Sequence, residues 1–168
     1  VKAILEDQSK EFIVRALTRN VNSDKSKQLA EAGAEVVEVD IDNFDSIKKA
    51  FEGVHGAYCV TFFWDHFNPV KESSQIKSIA KAAKETDVKH GIWSTLEDTR
   101  NFIPLNDERM PTLMENYKVP HYDGKGESDK FFTEAGVPTT FLLTSFYWDN
   151  LIHFGLGPKR GEDGKLSF

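Results

Sequence analysis

The sequence predicts an α/β protein built on a doubly wound parallel sheet. Three observations carry that prediction. Short runs rich in β-branched and apolar side chains recur at 12–18, 34–39, 56–62, 89–94 and 138–143. The stretches between most of them place apolar residues at helical spacing, and Gly33, Gly53 and Gly136 stand where a helix C-cap takes a left-handed residue. Strands alternating with helices imply right-handed crossovers, and so parallel strands with helices over both faces.

Taken in order, residues 1–8 read as the tail of a helix and 12–18 as the first strand, followed by Arg19-Asn20. A helix over 23–32 leads to the strand 34–39 and to Asp40-Ile41-Asp42. The next helix, 43–52, carries Ile47, Ala50 and Phe51 on one face. The run 56–62 is almost continuously apolar, as expected of a strand buried on both faces. After a loop with Trp64, Asp65, His66 and Asn68-Pro69, a helix over 70–86 turns Ile76, Ile79, Ala80 and Ala83 inward and its lysines outward. The strand 89–94 ends at Ser94. Residues 95–119 lack periodicity and hold Pro104 and Pro111, which predicts a long loop with a short helical turn near 110–116. A helix over 123–135 and the strand 138–143 follow, then a short helix near 152 and a glycine- and charge-rich tail, 155–168, expected as a loose loop or the start of a hairpin.

Composition bounds the function. A chain of 168 residues, 39% hydrophobic, is long enough for one domain with a substantial core. The net charge of −6, without any basic run, argues against direct nucleic-acid binding or a membrane surface. There is no apolar run of membrane-spanning length, and without a charged-then-apolar start no signal peptide is expected. The single cysteine, Cys59, permits no internal disulfide and fits a reducing compartment, so a cytoplasmic or nuclear location is expected. The chain opens at Val1, inside helix-like sequence, and is expected to be a stretch of a longer protein.

In doubly wound sheets ligands sit beyond the carboxyl ends of the strands. That rule selects Arg19-Asn20, Asp40-Ile41, Thr61-Phe62-Phe63, Ser94-Thr95 and the segment 144–150. Arginine after the first strand suits a nucleotide 2′-phosphate, which its planar fork neutralises. Asp40-Ile41 suits the adenine end, although Asp42 or Asn43 can equally cap the helix that follows. Lys125 lies between Gly124 and Gly126, and a helix starting near Asp123 would put it on the first turn, where unpaired N–H groups attract a phosphate or polar ligand. His121 shares that face if the helix reaches back to it, while Tyr122 points about 100° away. Histidines 55, 66, 90 and 153 have no spaced partners for a metal.

The order Thr18-Arg19-Asn20, Gly33-Ala34-Glu35-Val36-Val37, Val39-Asp40-Ile41-Asp42, Gly56-Ala57-Tyr58, Ser94-Thr95-Leu96-Glu97, His121-Tyr122-Asp123-Gly124-Lys125-Gly126-Glu127 and Phe146-Tyr147-Trp148-Asp149-Asn150-Leu151 closely resembles the NmrA-like branch of the atypical short-chain dehydrogenase/reductases. The resemblance implies a Rossmann-like domain over 1–154, partial at its N-terminus, with 155–168 a tail or the start of a small substrate or partner region. It implies NADP(H) as cofactor, touched by Arg19, Asn20, Asp40, Ile41, Thr61, Phe62, Phe63, Lys125, Tyr147 and Asn150, with Lys125 on the nicotinamide ribose. Ser94 and Lys125 would occupy two catalytic places of the superfamily, and His121 stands where its tyrosine acid belongs. The Gly-rich turn and the strand before it are not in the chain, so strands 12–18 and 34–39 are expected to stand apart from the other three. Three functions follow from the resemblance: a redox-sensing regulator acting through a protein partner, an NADPH-dependent reductase of a small carbonyl or quinone-type substrate, or a form that no longer binds nucleotide.

Overall fold

The computed structural model describes residues 1–9 and 11–167. The elements run α1 (Lys2–Leu5), β1 (Arg15–Thr18), α2 (Asp24–Glu31), β2 (Glu35–Glu38), α3 (Phe44–Phe51), β3 (Gly56–Cys59), α4 (Pro69–Glu85), β4 (His90–Thr95), α5 (Pro120–Gly126), α6 (Asp129–Ala135), β5 (Thr139–Leu143), α7 (Asn150–His153), β6 (Lys159–Arg160) and β7 (Leu166–Ser167). Single 3-10 turns lie at Phe63–Asp65 and Thr99–Asn101.

Local chemistry sets most of these boundaries. Ser23, Asn43 and Asn68 each accept a hydrogen bond from the backbone N–H three residues on, which starts α2, α3 and α4. Asn43, and not Asp42, therefore caps α3. Pro69 occupies the first turn of α4 with its φ already helical. Ile76, Ile79, Ala80 and Ala83 are all buried at the expected spacing, and each isoleucine contributes on the order of 1.5–3 kcal/mol by leaving water. They pack with Ile47 and Phe51 of α3, Cys59 of β3, Trp93 of β4 and Phe132 of α6 in the main core.

The strands form separate sheets. β1 pairs with β2 in parallel, β3, β4 and β5 form a second parallel sheet in that order, and β6 and β7 pair antiparallel, so of the two expectations for the tail, loose loop or start of a hairpin, its described residues take the second. Among the described residues no ladder joins β1 to β3, as expected for 12–18 and 34–39. Side chains reach across instead: Arg15 Nη1 donates to the carbonyls of Ala50 and Glu52, Arg19 Nη1 pairs with Asp65 at 2.8 Å, and Gln75 Nε2 donates to Asp42.

Three expectations need correction. The run 56–62 is not buried on both faces: β3 is an edge strand among the described residues, with Cys59 buried on one face and Tyr58 61% exposed on the other. The helical turn near 110–116 is instead an antiparallel bridge between Leu113 and Tyr117, closed by Met114 and Glu115 at positive φ. The helix over 123–135 is two helices. Pro120 starts α5 three residues early, and the Ser128 hydroxyl donates to the Gly124 carbonyl at the break before α6. Lys125 thus lies in the last turn of α5, not the first, and the positive end of the helix dipole is not at its ammonium.

The segment 96–119 is pinned to α5 by a buried carboxylate. Asp123 accepts from the N–H and hydroxyl of Thr99 and from the N–H groups of Lys118 and Val119. Gly126 allows the close approach, since a Cβ there would stand 2.5 Å from the Asp98 nitrogen. Arg100 completes the join through Asp98 and Glu127, with the Tyr117 ring 5.2 Å from its guanidinium.

Candidate functional site

A cleft of about 210 Å³ opens beyond the carboxyl ends of β3, β4 and β5. Thr61, Phe62, Phe63 and Trp64 line it after β3, Ser94 from β4, His121, Tyr122 and Lys125 from α5, and Thr144 to Tyr147 with Asn150 after β5. Of the twelve residues that the resemblance assigns to cofactor or catalysis, eight meet here: Thr61, Phe62, Phe63, Ser94, His121, Lys125, Tyr147 and Asn150. The other four lie outside its lining, at the ends of β1 and β2. Arg19 pairs with Asp65, Asn20 Oδ1 accepts from the Asn22 N–H, and Asp40 Oδ1 accepts from the Asp42 N–H in a turn. Ile41 borders a separate depression of about 60 Å³ with Asp42, Lys71 and Gln75.

Lys125 is held on several sides. Its Nζ donates to the Thr61 hydroxyl at 2.7 Å and the Thr61 carbonyl at 3.1 Å, and stands 3.2 Å from Glu72 Oε1 and 4.8 Å above the Trp93 ring. An ammonium has three N–H bonds, and these oxygens account for all of them. Burial pushes its pKa below the ordinary 10.5, and Glu72 opposes that shift. Behind Trp93, Asp129 accepts from the indole N–H and from Thr95 Oγ1, and burial raises its pKa.

His121 does share a face with Lys125, because α5 reaches back to Pro120. Its ring lies 4.7 Å from that of Trp64 and 5.8 Å from that of Phe63, and burial lowers its pKa from 6.5. The Tyr122 hydroxyl donates to the Ser145 carbonyl at 2.7 Å. Ser94 Oγ is 3.5 Å from Thr144 Oγ1.

Sequence reasoning missed Glu72, Trp93 and Asp129, and it treated Trp64 only as part of the loop after 56–62. An acid in the first turn of a helix ordinarily marks the dipole at a solvated end, so nothing around Glu72 signals burial. Trp64 alone carried a usable signal, as a large aromatic directly after a strand end.

Aromatic side chains thus line the same cleft as an ammonium, an imidazole and several hydroxyls, those of Ser94 and Thr144 among them. The sequence matches the NmrA-like family over residues 1–168. It is 36% identical to the NmrA-like family domain-containing oxidoreductase FrzB of a Cladobotryum species, over 96% of this chain and 49% of that protein. The fold is similar to that of NmrA, a negative transcriptional regulator, with a TM-score of 0.72 and 19% identity over 98% of this chain and 48% of that one. It is also similar to Citrobacter sp. triphenylmethane reductase complexed with NADP(H), with a TM-score of 0.66 and 24% identity over 84% and 43%. The chain spans about half the length of the curated relatives it matches first. With a Rossmann-like fold and a family match along its whole length, the chain belongs to the NmrA-like family.

Proposed function

We propose that the chain carries the nicotinamide-binding part of an NADP(H) site and serves as a redox-sensing regulator that acts through a protein partner. The observation behind this reading is the engagement of the cleft's donors. Lys125 is committed to Thr61 and Glu72, and Tyr122, the phenol of α5, is committed to Ser145. A sensor needs only to bind its ligand differently in two states, and a positioned proton donor is not required.

The residues fit the cofactor at two separated places. At the cleft, Phe62 and Trp64 offer aromatic faces and Ser94 a hydroxyl, and Lys125 would exchange one of its Thr61 contacts for a ribose hydroxyl. At the ends of β1 and β2, Arg19, Asn20, Asp40 and Ile41 suit the adenosine half. The Arg19 side chain is 76% exposed, so it can turn from Asp65 to a 2′-phosphate. When bound, NADP(H) supplies a hydride or accepts one. The protein's part is to bind, orient and exclude water. The wall that can respond is 144–150, which lines the cleft and is tied to α5 by the Tyr122 bond, whereas 96–119 is anchored by Asp123 and Arg100.

A second reading, an NADPH-dependent reductase of a small carbonyl or quinone-type substrate, draws on one observation: His121 lines the same cleft as Ser94 and Lys125 and could donate the proton. A panel of quinones, enones and aldehydes with NADPH separates the two. Saturable NADPH binding without turnover supports the sensor. Steady NADPH oxidation abolished by His121→Gln supports the reductase. No NADPH binding at all leaves a form that holds no nucleotide.

A further inference from the structure

Glu72 lies in the first turn of α4, fully buried, and its Oε1 receives both the Lys125 ammonium and the Thr61 hydroxyl, the latter at 2.7 Å. Thr61 in turn accepts from Lys125, so the three side chains close a triangle. The other carboxyl oxygen, Oε2, is buried without a hydrogen-bond partner among the described residues. That asymmetry is informative. A glutamine in the same place would give its carbonyl oxygen to both donors and would put an NH₂ group where the unpartnered oxygen now stands. What glutamine would remove is the negative charge.

Charge is what Lys125 lacks without it. The ammonium is enclosed by Trp93 and Thr61, and burial disfavours its charged form. Three titratable groups face it: Glu72 from α4, Asp129 from α6 and His121 from its own helix. Glu72 is the strongest of those favouring the charge, and Asp129 adds to it. His121 feels the same carboxylate.

We propose that Glu72 is a positioning residue that keeps Lys125 charged and, through Thr61, fixed at the wall of the cleft where ribose hydroxyls would meet it. The cofactor side of this assignment rests on the nucleotide reading above. The Lys125–Glu72 relationship does not. A hydroxyl ligand would take over one of the Thr61 contacts of Lys125, and Glu72 would keep the charge in place while it does so.

The test is Glu72→Gln in the whole chain, with the Lys125 side chain followed by NMR through a pH titration and NADPH binding measured in parallel. The titration midpoint of Lys125 should fall by about one pH unit or more, that of His121 should fall with it, and the pH above which NADPH affinity declines should drop to match. A merely structural role would leave the Lys125 midpoint unmoved, and that result overturns the proposal. A lowered midpoint in a chain that binds no NADPH, with or without the substitution, upholds the role of Glu72 and sinks the nucleotide reading alone. If Glu72→Gln does not fold, the unsubstituted chain still decides: a Lys125 amine already neutral at pH 7 overturns the assignment, and a charged one supports it.

Discussion

The Tyr122 hydroxyl and the Ser145 carbonyl, 23 residues apart, are joined by a 2.7 Å hydrogen bond that ties α5 to the segment after β5. Both residues line the cleft, so this one bond links its two walls. Tyr122→Phe keeps the ring and removes the bond. The expected cost is about 1 kcal/mol in chemical denaturation, with faster amide exchange confined to 144–150. Exchange unchanged across that segment would show that the bond does not hold the wall.

Asp123 should matter far more for stability than any residue of the cleft. It is fully buried and satisfies three backbone N–H groups and a hydroxyl. Asp123→Ala leaves those donors buried and unpaired and is expected to cost about 3–5 kcal/mol, read from urea unfolding. A loss below about 1 kcal/mol would mean that water replaces the carboxylate freely.

The acid limb of stability should carry a contribution from His121. Burial, opposed by Glu72 and Asp123, holds its folded pKa below 6.5, so the unfolded chain binds the proton more tightly. The folded state therefore loses stability as pH falls from 6.5 through the lowered value, and no such loss arises above that range. Stability-against-pH curves of His121→Gln and the parent should run parallel above pH 7, and below it the parent's should fall relative to the variant's. Parallel curves throughout would contradict the assignment.

Arg19 and Asp65 set up a competition at the adenosine end. Their ion pair joins two exposed side chains and adds little to stability. If Arg19 takes the 2′-phosphate, Arg19→Ala should weaken NADPH binding by about tenfold and leave NADH unaffected, while Asp65→Asn should strengthen NADPH binding modestly. Equal effects on both nucleotides would remove Arg19 from the phosphate site.

Much of the fold was legible because its signals are local. The cap before α3, the spacing of Ile76, Ile79, Ala80 and Ala83, and the closing glycine Gly136 at φ 68° all act within a turn or two of the chain. The cleft was legible because strand ends in a parallel sheet converge on one edge, which brings Thr61, Ser94 and Tyr147 together. What escaped was set by distant partners. The split of α5 from α6 depends on Ser128 meeting Gly124 and on Gly126 meeting Asp98. The exposure of Tyr58 depends on which strands lie beside β3, and the burial of Glu72 depends on a lysine more than fifty residues away.

The most direct test of the cofactor reading is an equilibrium titration of this chain with NADPH, beside Lys125→Met. Saturable binding that weakens by about tenfold or more in the variant is the expected result, since the substitution removes a charged donor while keeping the apolar stem over Trp93. No binding to the parent chain, or equal affinity in both proteins, would contradict a cofactor role for Lys125.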